Sequence, residues 1–250
     1  MEIDLDALRV LRSGRSVVDG VSLTVGEGEC VGLIGPNGAG KTSLLRAAIG
    51  LLHAASGTSS LAALPPGARA RAVAWLPQAR EVVWPVTVGT LVGLGRLPFG
   101  PVRPGDPAVE RAMRRMGLGP LRDRRATELS GGEQARALIA RALAQEAPVT
   151  LADEPVAGLD PAAQIAAMRV FRALADEGRT VVVAMHDLGL AARHCTRLVA
   201  ISRGRIEADG TPAEVLAPGV VARVFGIRSA FAEGPEGPVF QALDVIGASE

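Results

Sequence analysis

The residues best suited to chemistry form one short run, Gly35-Pro36-Asn37-Gly38-Ala39-Gly40-Lys41-Thr42, with the pattern G-x-x-x-x-G-K-[ST]. A loop with so little side-chain bulk lets backbone N–H groups wrap an anion. A helix beginning at Lys41-Thr42 aims its positive end at the same point. There Lys41 can reach the terminal oxygens of a phosphate chain, and the Thr42 hydroxyl can ligate Mg²⁺; Ser43 is grouped with them. The competing reading is a glycine-rich turn that only packs a helix on a strand. Composition argues against it. Of 27 basic residues, Lys41 is the only lysine, and Asn37 is the only asparagine. Where arginine supplies every other positive charge, a retained lysine marks a place that needs a compact point charge rather than a fork. The loop predicts a nucleotide-binding site.

Two other places carry suitable groups. Asp153-Glu154 closes the apolar run Val149-Thr150-Leu151-Ala152. Asp153 at a buried strand end can hold Mg²⁺ directly or through water. Glu154, one residue on, points elsewhere, where a carboxylate can polarise an attacking water. The plainer reading is two acids solvating a strand end. Ser130-Gly131-Gly132-Glu133 is a capping box before a helix with the apolar stripe Ala135, Leu138, Ile139, Ala142 and Leu143. Its glycines leave N–H groups open, a second place for an anion; the plainer reading is an ordinary capped helix. A guanine-reading Asn-Lys-x-Asp motif cannot be assembled, because the only Asn and Lys already sit in the loop. A small-molecule kinase stays open on these residues alone.

These groups need rigid supports. Cys30–Ile34, Val149–Ala152 and Thr180–Met185 are continuous apolar runs, as expected of parallel strands buried on both faces. A helix should run from Thr42 to Leu52, and another from the cap Asp160-Pro161 to the stop at Gly178. Leu198–Ser202 and Arg205–Ala208 read as a hairpin, and Thr211-Pro212-Ala213-Glu214 as a capping box opening a short helix. Residues 80–146 have helical spacing, with one helix between Asp106-Pro107 and Gly117, and form a helical insertion. The expectation is one domain over 1–250. It has an α/β core in 1–79 and 147–233, a helical subdomain in 80–146 and a weakly held strand or tail in 234–250.

Composition narrows the function. The 250 residues are 48% hydrophobic with a net charge of +1 and 3% aromatics. That offers ample core, no basic face for nucleic acid and almost no rings for base stacking. No apolar run approaches the ~18 residues of a membrane span. Met1-Glu2-Ile3-Asp4 lacks the start of a signal peptide. Cys30 and Cys195 lie far apart in no paired motif, so a cytosolic setting without disulfides is expected. Arg111, Arg114, Arg115, Arg122, Arg124 and Arg125 read as a solvated face, with His53 and His194 at the surface.

Leu129-Ser130-Gly131-Gly132-Glu133-Gln134, together with the phosphate loop and Asp153-Glu154, resembles the ATP-binding subunit of ABC transporters. Gln78 in Trp75-Leu76-Pro77-Gln78 fits that family's Q-loop, Ala157-Gly158-Leu159-Asp160 its D-loop and His186 its switch histidine. The resemblance implies a P-loop NTPase core with a mainly parallel sheet, a small antiparallel β part and a helical subdomain. It implies ATP and Mg²⁺, with Glu154, His186 and Gln78 catalytic and Thr42, Gln78 and Asp153 at the metal. It further implies that Ser130–Glu133 and Asp160 meet the ATP of a second copy in a head-to-tail homodimer. The adenine-stacking aromatic of the family falls on or near Arg12, whose guanidinium can also stack. Residues 56–72 look like a trimmed hairpin. Integral membrane permease subunits, with a substrate-binding protein engaged indirectly, would be the partners at the inner face of the cell membrane. Val88–Pro98 resembles the iron-siderophore, haem and cobalamin importer group. A soluble ABC ATPase of assembly or repair is the alternative, and an inactive scaffold is disfavoured by the complete set Lys41, Asp153, Glu154 and His186.

Overall fold

The computed structural model describes residues 1–78 and 82–247. Strands β1 (Ile3–Arg12), β2 (Arg15–Val25) and β3 (Cys30–Ile34) lead into helix α1 (Lys41–Ala48). β4 (Ser56–Ser59), α2 (Pro66–Ala72) and β5 (Val73–Leu76) follow. Next come α3 (Val88–Gly93), α4 (Pro107–Arg115) and α5 (Gly131–Ala144), joined by short 3₁₀ turns. The chain returns to β6 (Val149–Asp153), α6 (Pro161–Asp176), β7 (Thr180–Ala184) and α7 (Leu188–His194). It ends with β8 (Arg197–Ser202), β9 (Arg205–Gly210), α8 (Pro212–Val215), α9 (Pro218–Phe225), β10 (Ile227–Gly234) and β11 (Gly237–Val245).

The apolar runs become neighbouring strands. The main sheet has the order β5-β6-β7-β3-β8-β9, parallel except for β9. Every residue of β3, β6 and β7 is buried, because the two faces of the sheet feed two cores. Val31, Leu33, Leu151 and Val182 pack with Leu44 and Leu45 of α1 and the inner side of the antiparallel sheet β2-β1-β4. Ile34, Ala152, Val181 and Val183 pack on the other face with Met168, Phe171 and Leu174 of α6 and with the helical insertion. This alternation is what a strand covered on both faces requires.

Local chemistry sets the helix ends. Asp106 Oδ1 accepts from Ala108 N at 2.8 Å and Asp160 Oδ1 from Ala163 N at 2.9 Å, each followed by proline at the first helical position. Both expected capping boxes are formed, Ser130 with Glu133 and Thr211 with Glu214. α1 stops at Ala48 rather than Leu52, because the N–H groups of Gly50 and Leu51 turn back to the carbonyls of Ala47 and Arg46. The 56–72 stretch holds β4, paired antiparallel to β1, and α2, which buries no residue. β5 has only four residues and no periodic signal; it exists by pairing with β6.

Of the two forms expected for the C-terminal stretch, a strand or a tail, residues 237–245 take the strand: they are β11, paired along its length with β10. The boundary expected at 233/234 falls inside this hairpin. Phe231 and Phe240 face each other and pack on the main core. The boundary expected at 79/80 and the last residues, 248–250, lie outside the described residues. The two cysteines, remote in sequence, meet: β3 pairs with β8, Thr196 N donates to Cys30 O at 2.8 Å, and both thiols are free and buried. A hydrogen bond to Cys30, then burial, pushes the Cys195 thiol well above its ordinary range, away from the reactive thiolate. His53 is exposed, whereas His194 is half-buried and burial lowers its affinity for a proton.

Phe171 is fully buried between α6 and the sheet. Phe171→Ala should lower the unfolding free energy by about 3–5 kcal/mol, read from urea titration of the nucleotide-free protein. A loss under about 1 kcal/mol would mean this core is looser than its burial states.

Candidate active site

The functional groups gather at the C-terminal ends of four adjacent parallel strands. β3 runs into the phosphate loop, β5 into Gln78, β6 ends at Asp153-Glu154, and β7 is followed by His186. The carboxyl edge of an open parallel sheet is the usual place for a ligand. A cleft of about 340 Å³ opens there, lined by Arg12, Val17, Asn37 to Ser43, Gln78, Glu154 and His186. Gly35 and Pro36 do not line it; their carbonyls take hydrogen bonds from Lys41 Nζ at 2.7 and 3.2 Å.

The loop is pinned by close backbone approaches. A Cβ on Gly35 would lie 2.1 Å from the Ile201 carbonyl oxygen, and one on Gly40, whose φ is +108°, would lie 2.3 Å from the Val17 carbonyl oxygen. Only glycine fits either place. The β8–β9 turn completes the support: Gly204 N donates to Ala39 O at 2.9 Å, and Asp19 N donates to Gly204 O at 2.8 Å. Val17 and this turn are functional supports that no local pattern announced; only the tertiary approach reveals them.

Behind the loop, Lys41 is 5% exposed and Asp153 fully buried. Burial pushes the Lys41 ammonium below its ordinary range, while the Glu154 and Asp153 carboxylates pull it back. Burial likewise raises Asp153, opposed by its hydrogen bond from Thr42. Thr42 Oγ1 lies 3.2 Å from Asp153 Oδ1, and Asp153 Oδ2, also buried, has no hydrogen-bond partner among the described residues. Glu154 faces the cleft instead. Its backbone sits in the left-handed region at φ 51°, with its N–H held by the Ala184 carbonyl at 3.0 Å. Gln78 Nε2 donates to Glu154 Oε2 at 2.9 Å, and His186 Nε2 lies 2.5 Å from Glu154 Oε1. The carboxylate is thus held from both sides by groups delivered from the two flanking strands. A left-handed non-glycine costs about 1–3 kcal/mol and persists where the surroundings enforce it.

A profile of the ABC transporter family matches residues 18–157, more than half of the chain. The cobalamin import ATP-binding protein BtuD of Halobacterium salinarum is 43% identical over 245 residues, covering 94% of this chain and 61% of that protein. This chain belongs to the ABC transporter family. The ABC chain therefore spans 61% of the length of that relative. It covers nearly all of another, the hemin import ATP-binding protein HmuV of Pseudomonas entomophila, which is 40% identical over 94% of this chain and 96% of its own. A solved structure of the ATP-binding subunit of an ABC transporter shares the fold with a TM-score of 0.77 at 26% identity, covering 92% of this chain and 95% of that one.

Not every expected site residue of the ABC chain comes to the cleft. Ser130, Gly131, Gly132 and Glu133 do not line it. Glu133 accepts from the Ser130 N–H at 2.8 Å, and that bond first, with the Ser130 hydroxyl second, holds its carboxyl below the ordinary range. Asp160 is likewise occupied in capping α6. Arg12, at the end of β1, does line the cleft, beside Val17.

Gly40→Ala should weaken ATP binding by at least about tenfold, because the added methyl meets backbone rather than a movable side chain. Gly38→Ala, where nothing lies within 4 Å, should weaken it less. Equal losses in a fluorescent-nucleotide titration would show that backbone dihedral strain, not the Val17 contact, decides the loop.

Proposed function

We propose that this chain is the ATP-hydrolysing subunit of a membrane importer for an iron chelate (siderophore), haem or cobalamin. The observation that carries the reading is the clamp on Glu154 by Gln78 and His186, set across a cleft from a loop holding the only lysine. The cargo class is supported by the relatives named for cobalamin and hemin import and by the Val88–Pro98 run.

The donor set fits Mg²⁺. Thr42 Oγ1, the partnerless Asp153 Oδ2 and the Gln78 amide oxygen are hard oxygen ligands. A cation bound there would share its coordination with substrate phosphates. Bound there, Mg²⁺ neutralises charge developing on the phosphoryl oxygens.

The chain's own groups do the rest. Backbone N–H groups from Asn37 to Thr42 cradle the phosphates, Lys41 supplies a desolvated charge, and Ser43 and Arg12 extend the contact toward the nucleoside. Glu154 takes a proton from the attacking water as its oxygen bonds to the γ-phosphorus and the β–γ bridge breaks, releasing ADP and phosphate. His186 and Gln78 orient that carboxylate. Ser130, Gly131, Gly132, Glu133 and Asp160 act on the nucleotide of a second copy, so that two ATP molecules close a head-to-tail homodimer. Among the described residues no helix is long and apolar enough to cross a membrane. On this reading integral permease subunits carry the transport, with this chain peripheral on the inner face of the membrane and a substrate-binding protein engaged through them.

Glu154→Gln should keep ATP affinity, cut turnover about 10²- to 10⁴-fold and accumulate an ATP-bound dimer on size exclusion. A monomeric variant hydrolysing at the normal rate would refute the role of Glu154. Deleting the gene should abolish uptake of one labelled iron chelate, haem or cobalamin. Undiminished uptake of all three would leave the non-transport ATPase as the better account.

A further inference from the structure

The phosphate loop leaves the main sheet, yet one of its supports comes from the antiparallel sheet. The Val17 carbonyl of β2 is wedged between two glycines. A Cβ on Gly40 would lie 2.3 Å from its oxygen, and one on Gly204, in the β8–β9 turn, would lie 2.9 Å away. Gly204 spans the joint, since its N–H holds Ala39 O while its own carbonyl accepts from Asp19 N. Arg203 and Gly204 form a two-residue turn between Ser202 and Arg205, with φ of 48° and 78°. That left-handed pair is what a tight hairpin requires, so the flanking strands set where Gly204 sits. The loop therefore keeps its place only while β2 and β9 keep their spacing.

A side-chain pair bridges these two strands at the level of the loop. Arg205, the first residue of β9, donates from Nε and Nη2 to Asp19 Oδ2 at 2.9 and 2.6 Å. The other oxygen, Oδ1, meets Arg9 Nε of β1 at 3.3 Å and accepts from Ser16 Oγ at 3.4 Å. The Arg205 hydrogen bond, ahead of the charges of Arg205 and Arg9, holds the Asp19 carboxyl below its ordinary range. Arg205 and Asp19 are 69% and 22% exposed, and an ion pair so open to water adds little to global stability. Its place matters more. The same two sheets are tied again at their opposite end, where Arg197, at the start of β8, donates to Thr24 O at 3.0 Å and meets Glu29 at 3.3 Å. That second tie is far along β2 and β8 from the loop. Asp19, by contrast, is two residues from the wedged Val17 carbonyl, and Arg205 adjoins the glycine that holds Ala39.

We propose that Asp19 and Arg205 are positioning residues for the phosphate loop: their ion pair sets the spacing of β2 and β9 and, through Val17 and Gly204, holds the loop in the shape that fits a triphosphate. Neither residue lines the cleft. The proposal rests on the ATP-hydrolysing reading and adds a determinant of nucleotide affinity outside the cleft.

The test uses the full-length chain, with ATP competing against a fluorescent nucleotide and hydrolysis followed in parallel. Asp19→Asn and Arg205→Gln should each raise the Kd for MgATP about five- to tenfold, with kcat at saturating ATP within about twofold of the unaltered chain. The double variant should lose no more affinity than either single one, because the two side chains act as one unit. Arg197→Gln supplies the control for a merely structural tie: it should lower the urea midpoint yet leave the Kd within about twofold. Unchanged Kd in both single variants, or a loss confined to kcat, overturns the proposal while the ATPase reading stands. Additive losses in the double variant overturn the pairing, and an equal rise in Kd from Arg197→Gln overturns the positioning role. An unaltered chain that neither binds nor hydrolyses ATP overturns the ATPase reading, and the proposal with it.

Discussion

Two carboxylates that are neighbours in sequence have to serve two different places, and the left-handed turn of the backbone at Glu154 lets them do so. Asp153 is the last residue of β6 and points down to Thr42, whereas Glu154, at φ 51°, swings into the cleft. Had β6 simply continued, pleating would also have parted them, but onto the two faces of the sheet rather than both toward its edge. The strand order then matters. β6 lies between β5 and β7, so among the described residues those just beyond β5 and β7 are placed to flank Glu154 at that edge. They are Gln78 and His186.

The same edge concentrates buried charge, and each charge is bearable only because of the others. Lys41 and Asp153 are both desolvated, and the carboxylates partly offset the cost for Lys41 as Lys41 and Arg46 do for Asp153. A buried ion whose partners are removed is expensive, so the loop, the strand end and the first turn of α1 hold one another. Lys41 donates to two carbonyls of its own loop, which places a charged group where a phosphate oxygen can compete for it. The loop cannot relax away, since Ile201 and Val17 press on it where no side chain could be accommodated.

What could be read in advance follows from the range of the interaction. The loop, the caps at Asp106, Asp160, Ser130 and Thr211, and the buried runs of β3, β6 and β7 are set by residues within a few positions of each other, and all were legible. Their assembly as a P-loop core of the ABC type followed from the motif order. β5 was not legible, because four residues beside Gln78 become a strand only through β6. The β10–β11 hairpin was legible only as a strand or a tail, for a related reason. Its Gly and Pro residues look like a tail, and its two phenylalanines gain their meaning from each other and from the core beneath. The nearness of Cys30 to Cys195, and of Val17 and Gly204 to the loop, depends on tertiary pairing that no local pattern encodes.

The site is joined by backbone to an apolar groove that lies between β5, the 82–94 segment and α5. Pro77 and Pro155 both line the groove, and each is one residue from a member of the clamp, Gln78 on one side and Glu154 on the other. Each ring is joined to its clamp neighbour by a single peptide unit, and Pro155 also restricts the backbone of Glu154 before it. Gln78 and Glu154 are bonded to each other, which means the two levers meet at one hydrogen bond. Any change that moves Glu154 therefore moves the wall of the groove. The coupling needs no long relay, because the groove and the clamp are opposite faces of the same two chain segments.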